Sequence, residues 1–109
     1  MEVLEVLRYE DDSGHSPLTA WLRKLRDKAG RVQIETRLNR LVDGNFGRCE
    51  PVGEGVLELK IDFGPGYRVY FARYGQAVVV LLCGGDKRSQ DSDIKHAKIY
   101  WADWKRSNR

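Results

Sequence analysis

The spacing of apolar residues in the N-terminal half predicts one strand followed by two helices. Residues 2–9 are rich in β-forming side chains with imperfect alternation, which is typical of an outer strand. Apolar residues then recur at helical spacing over residues 18–25, after the N-cap Ser16, and again over residues 34–42. With a break near Gly30 between them, the two segments predict a helical hairpin.

The C-terminal half changes to a strand period after a glycine-rich loop over residues 45–55. Residues 57–61 alternate between apolar and polar side chains, as in a half-buried strand. A Gly-Pro-Gly turn leads into a second strand over residues 67–74, and another turn leads into the apolar run 77–83, which Gly84-Gly85 ends. The pattern predicts a three-stranded antiparallel meander whose last strand is covered on both faces.

A third helix is predicted to begin at Ser89 and to pack on this sheet through one apolar stripe. The stripe consists of Ile94, Ala97, Trp101 and Trp104. The predicted fold class is therefore α+β, as a single domain over residues 1–109. In it the N-terminal strand and the helical hairpin pack on the small antiparallel meander, and a helix follows at the C-terminus.

Composition narrows the classes of function without choosing one. The net charge of +3 falls entirely within residues 51–109, because acidic and basic residues balance in residues 1–50. A basic face there would meet a polyanion or an acidic protein. Cys49 and Cys83 make no disulfide framework, and the sequence shows no leader, membrane span or metal-ligand spacing. We expect a cytoplasmic protein that uses no metal or other cofactor and no membrane.

Strand parity brings several polar residues to one face of the meander. The apolar faces of its first two strands must coincide, so Lys60, Arg68 and Tyr70 share the opposite face. A pairing with Asp62 opposite Arg68 and Lys60 opposite Tyr70 satisfies this condition. Cys83, in the last strand, then lies near Arg68 at the same end of the sheet.

The loop after the last strand brings further cations to that end. Lys87 and Arg88 are expected beside Arg68, and the cluster then resembles a phosphate site, because Arg clamps a phosphate with two hydrogen bonds and Lys adds a compact charge. We expect Tyr67, Tyr70 and Tyr100 as its aromatic neighbours and as RNA contacts, because a tyrosine can stack on a base. The alternative is that the strand cations are solvated and neutralised by Glu58 and Asp62.

Three strings in this region carry a family resemblance. They are residues 52–60 (VGEGVLELK), 64–71 (GPGYRVYF) and 81–87 (LLCGGDK). With weaker similarity elsewhere over residues 15–100, they resemble the HigB-type "addiction module killer" branch of the RelE/ParE toxins. The resemblance implies a RelE-like fold and a toxin of a type II toxin-antitoxin system. It also implies a cognate helix-turn-helix antitoxin as partner, the ribosome and mRNA as targets, and operator DNA contacted only through the antitoxin complex.

The resemblance also implies site residues and a reaction. Many relatives are ribosome-dependent endoribonucleases that inhibit translation, and their functional residues correspond to Arg68, to Lys87 or Arg88, and less directly to the strand lysine Lys60. Aromatic and histidine residues near the C-terminus of HigB-type enzymes have His96 and Tyr100 as counterparts among the RNA contacts.

The implied reaction is metal-free transphosphorylation, in which the RNA 2′-hydroxyl attacks the adjacent phosphate and the bond to the 5′-oxygen breaks. This leaves a 2′,3′-cyclic phosphate and, once an acid protonates the leaving oxygen, a 5′-hydroxyl. Arg68 and Lys87 suit stabilisation of the phosphorane. Lys60 suits the general base if its neighbours lower its pKa, and Asp62 or His96 replaces it otherwise. Two alternatives stay open, namely a ParE-like toxin that inhibits DNA gyrase and an inactive toxin retained as an antitoxin partner.

Overall fold

Five strands and three α-helices form an α+β fold in the computed structural model, which describes residues 3–108. A short 3-10 segment, Lys87–Ser89, precedes the last helix. The elements are β1 (Glu5–Arg8), α1 (Pro17–Lys24), α2 (Lys28–Leu41), β2 (Cys49–Gly53), β3 (Val56–Ile61), β4 (Tyr67–Tyr74), β5 (Val78–Asp86) and α3 (Gln90–Ser107). Within residues 3–108, no helix combines the length and apolarity needed to cross a membrane.

The strands form one mixed sheet in the order β1-β5-β4-β3-β2. Strands β2 to β5 are an antiparallel meander, and β1 adds to its β5 edge in parallel. The predicted outer position of the first strand is confirmed, and the predicted three-stranded antiparallel meander is present as β3–β5. The sheet is larger than predicted and mixed, because β2 and the parallel β1 extend it at its two edges. Cys49–Gly53, predicted as loop, pairs with β3 as an edge strand, where Pro51 is tolerated and a bulge lies before Gly53.

The helical hairpin is present, but its break lies earlier than predicted. Helix α1 ends at Lys24, and Gly30 lies in the first turn of α2, where its N–H donates to the N-cap Asp27 (2.9 Å). A Cβ at Gly30 would lie 2.6 Å from the ring of Tyr67. This glycine therefore permits close approach of helix and sheet instead of ending a helix.

Each face of the sheet is covered by a separate apolar core. The hairpin core joins α1 and α2 to side chains of β3 and β4 such as Leu59, Val69 and Phe71. The α3 core places Ala97 and Trp101 against the opposite face. The predicted packing of the third helix on the sheet and the double coverage of β5 are both confirmed, since alternate β5 residues belong to the two cores.

Strand β5 continues through the two glycines that were predicted to end it. Gly84 pairs with Val69, and Gly85 pairs with Arg68. A Cβ at Gly84 would lie 2.5 Å from the half-buried indole of Trp21, and a Cβ at Gly85 would collide with the carboxylate of Asp93. The two glycines therefore let a helix approach the strand closely on each face.

Candidate active site

The register of the β3–β4 hairpin determines which charged side chains meet. Lys60 pairs with Arg68 and Glu58 pairs with Tyr70, so the predicted pairing of Asp62 with Arg68 is wrong by two residues. The predicted parity is confirmed, because Lys60, Arg68 and Tyr70 lie on the α3 face of the sheet. The shift arises because β3 ends at Ile61 and residues 62–66 form a longer turn than the Gly-Pro-Gly alone.

A concave pocket of about 350 Å³ lies at this end of the sheet, between the β3–β4 turn and the start of α3. Arg68 reaches it from β4, Lys87 from the 3-10 segment and Asp62 from the turn. Phe63 and residues 64–66 complete its wall. The structure thus brings together the two cations that the sequence pattern predicted to converge, and it adds an accessible carboxylate.

Arg68 is far less accessible than a solvated strand residue would be. Only 12% of its side chain is exposed, and Nη1 lies 3.7 Å from Glu58 Oε1, too far for a hydrogen bond. Its Nε and Nη1 are buried and have no hydrogen-bond partner within residues 3–108. The alternative is therefore wrong in treating Arg68 as solvated, but the counter-ion that it named, Glu58, does face the guanidinium. Buried polar atoms without partners are uncommon in native proteins, and a functional role is one explanation for them.

Glu58 is a buried carboxylate and not the solvated counter-ion that the sequence pattern suggests. Only 2% of the residue is exposed. Its Oε2 accepts hydrogen bonds from the Tyr70 hydroxyl (3.0 Å) and from Gln90 Nε2 (2.8 Å). Burial and the Glu58 carboxylate raise the pKa of Tyr70, so this phenol stays protonated and keeps donating. Strand parity could have indicated that Glu58 belongs to the site, because it places Glu58 on the same face as Lys60.

Lys60 lies beside the pocket without lining it. Its side chain is 20% exposed, and Nζ contacts Oε1 of Glu50 on the neighbouring strand β2 (3.1 Å). Arg68 is its direct partner across the β3–β4 ladder. The Lys60 ammonium is therefore directed to Glu50 on β2 and not into the pocket.

Tyr67 and Tyr70 do not offer their rings to the pocket as proposed RNA contacts would. Tyr67 points to the opposite face, where its hydroxyl donates to Asp27 Oδ2 (2.7 Å). Burial, together with Asp27, raises the pKa of Tyr67 to about 12. Tyr70 is fully enclosed in the α3 core. Both side chains therefore support the sheet end from within.

The other predicted RNA contacts are Arg88, on the 3-10 segment beside the pocket, and His96 and Tyr100, on α3. Arg88 has a side chain that is 87% exposed and paired with Asp86 (3.1 Å), which leaves it accessible beside the 3-10 segment. His96 and Tyr100 stack on each other along α3, and Tyr100 stacks on Tyr9, which follows β1. Neither His96 nor Tyr100 is among the residues that line the pocket.

Exposed basic residues surround the α1–α2 connection, which packs against the pocket turn. Asp27 in this connection bonds Tyr67, and its Oδ2 lies 3.4 Å from where a Cβ on Gly64 would be. The exposed cations on either side of Asp27 are Arg23, Lys24, Arg26 and Lys28. The α1–α2 connection therefore carries an excess of exposed positive charge. Among residues 3–108, no three or more His, Cys, Asp and Glu side chains are arranged to hold a metal ion.

Comparison with known proteins identifies a relative of undescribed activity. Over 80 residues the chain is 49% identical to an uncharacterized protein of Haemophilus influenzae, a match that covers 73% of this chain and 81% of the relative. The chain belongs to the family of that protein. No family model matches the chain. Family membership therefore supplies no activity, and the function must be argued from the pocket.

Proposed function

We propose that the protein is a HigB-type toxin of the RelE/ParE superfamily and that it cuts mRNA on the ribosome. The observation that carries the proposal is the pocket in which Arg68 and Lys87, from two separate elements, meet beside the carboxylate of Asp62. The arrangement of a helical hairpin and a C-terminal helix around one sheet supports a RelE-like fold. The strings that resemble this branch contain both cations of the pocket.

The pocket residues suit two tasks of transphosphorylation, which are stabilisation of the developing charge and removal of the proton from the 2′-hydroxyl. Arg68 and Lys87 would stabilise the negative charge that develops on the phosphorane. Asp62 is a suitable general base because its side chain is 74% exposed and lines the pocket, although Arg48 pairs with it. His96, the other alternative, does not line the pocket. Asp62 is therefore the better of the two alternatives to Lys60.

The pocket alone orients a substrate poorly. The two cations can hold a phosphate, but Tyr67 and Tyr70 are buried and cannot stack a base. In-line attack by a 2′-hydroxyl needs a fixed, unstacked RNA path. The ribosomal A site provides such a path, and the exposed cations around the α1–α2 connection suit a polyanionic surface. An acidic segment of a cognate antitoxin would compete for the same charges.

Expression without antitoxin tests the proposal. We expect growth arrest, with new mRNA 5′ ends inside translated regions and product ends that carry 2′,3′-cyclic phosphate and 5′-hydroxyl groups. Purified protein should cleave mRNA on programmed ribosomes and leave the same RNA largely intact when it is free. Plasmid supercoiling should not change. Intact mRNA together with gyrase-linked DNA breaks would refute the nuclease and favour a ParE-like inhibitor, and unimpaired growth would favour an inactive toxin.

A further inference from the structure

One buried carboxylate joins the three elements behind the pocket. Glu58 on β3 contacts Tyr70 and Arg68 on β4 and Gln90 at the start of α3. It is the one charged residue among residues 3–108 that is buried as a whole. Burying a carboxylate is costly unless its oxygens are satisfied, and here Oε2 accepts two hydrogen bonds while Oε1 faces a guanidinium.

The partners of Glu58 lie next to the two pocket cations in the chain. Tyr70 is two residues from Arg68, on the same face of β4. Gln90 directly follows the 3-10 segment that carries Lys87. Through these partners, one carboxylate fixes the distance between the strand that supplies Arg68 and the segment that supplies Lys87.

The charge of Glu58 also accounts for how Arg68 is held. The guanidinium is nearly enclosed, with Nε and Nη1 buried and Glu58 Oε1 3.7 Å from Nη1. Arg68 nevertheless lines the pocket. In a site of low dielectric, a charge at this distance restrains the guanidinium without forming a hydrogen bond to it. Glu58 thus orients Arg68 by its charge.

We propose that Glu58 is a positioning residue, which orients Arg68 and sets its distance from Lys87. The inference rests on the proposed function for its catalytic consequence, whereas the restraint on Arg68 can be measured separately. Glu58→Gln keeps the shape of the side chain and removes its charge. The matched control is Glu50→Gln, an acid-to-amide change at the exposed carboxylate that pairs with Lys60.

The first measurement is the heteronuclear NOE of the arginine Nε–H groups in the free protein. In the parent, Arg68 should be rigid, and the exposed Arg88 should give the mobile reference. In Glu58→Gln, we expect the Arg68 value to fall towards that of Arg88, and in Glu50→Gln we expect it to stay high. A merely structural role of Glu58 would lower the melting temperature without selectively loosening this one side chain. An unchanged Arg68 value in folded Glu58→Gln overturns the inference.

The second measurement is mRNA cleavage on programmed ribosomes. We expect the maximal rate of Glu58→Gln to fall on the order of 10- to 100-fold, with little change in the protein concentration that gives half of that rate. If Arg68 loosens while an active parent and the variant cleave equally fast, the inference is overturned. If the parent does not cleave, the proposed function fails, and the NOE alone decides whether Glu58 restrains Arg68.

If Glu58→Gln does not fold, Gln90→Ala is the variant to measure instead. Gln90 is only half-buried, and the change removes one of the two donors that hold Glu58 Oε2. We expect the Arg68 NOE to fall by a smaller amount, and an unchanged value overturns the inference.

Discussion

Replacement of Arg68 by alanine is the most direct test of the pocket. The change removes the most enclosed cation of the site while the backbone stays paired with Lys60 and Gly85. A charge-assisted hydrogen bond to a phosphate contributes about 1.5–3 kcal/mol, which corresponds to roughly a 10- to 150-fold loss in rate. Loss of a donor directed at developing charge in an enclosed site costs about 100- to 1000-fold. Because only 12% of the side chain is exposed, we expect a loss near the larger figure.

The same change should leave the protein folded. Removal of one partner of a buried ion pair costs about 3–5 kcal/mol, because the other charge stays buried and uncompensated. Glu58 would keep its hydrogen bonds from Tyr70 and Gln90, and its contact with Arg68 is longer than a hydrogen bond. We therefore expect a destabilisation below that range, on the order of 1–3 kcal/mol, which a small domain tolerates.

The assay compares single-turnover cleavage on programmed ribosomes with growth inhibition at matched expression, after a melting curve has shown that the variant is folded. Arg73→Ala is the control, since Arg73 lies on the same strand at the opposite end and is exposed. We expect it to cleave as the parent does. If folded Arg68→Ala retains the parent rate and toxicity, Arg68 is not in the active site and the pocket argument fails.

Three further predictions concern the surroundings of the pocket. Asp62→Asn should lower the cleavage rate by about 100-fold or more without changing the melting temperature, and an unchanged rate would remove Asp62 as the base. Gly85→Ala should destabilise the protein by about 1–3 kcal/mol in a denaturant titration, because the new methyl group meets Asp93, and unchanged stability would show that α3 moves freely. The Tyr67 hydroxyl lowers the pKa of Asp27 in the folded state, so its stabilising effect is present above the unfolded value near pH 4 and is lost as the pH falls through the folded value. Tyr67→Phe should therefore lose less stability than the parent when the pH is lowered from about 5 to about 2. Melting temperatures that fall equally with pH in the two proteins would contradict this.

Local pattern was sufficient for the main elements and for the faces of the strands. A strand side chain can point only to one of two faces, so a pattern of period two predicts that Lys60, Arg68 and Tyr70 lie together whatever the register. The same argument could not choose between registers that differ by two residues, because both give the same faces. The residue at which β3 ends decides between the two registers. Because β3 ends at Ile61, Asp62 lies at the pocket instead of opposite Arg68.

The glycines show a second limit of local reasoning. Gly30, Gly84 and Gly85 stand where a glycine commonly ends an element, yet each lies inside one. At each of them, a side chain from a distant segment lies close to where a Cβ would be. Trp21 has this position at Gly84, and Asp93 has it at Gly85. The identity of that neighbour depends on how helices dock on the sheet, which is not contained in the local pattern.

Taken alone, the sequence determined the three helices, four of the five strands, the two faces of the sheet and the cations that converge at one end of it. Tertiary structure decided which of these side chains are buried. In the sequence, Glu58 alternates with apolar residues as a solvated strand residue would. It becomes a buried carboxylate only because α3 docks on this face and brings Gln90 to it, beside Tyr70 of the neighbouring strand. Burial depends on what covers a face, and that cover comes from a helix more than thirty residues away in the chain.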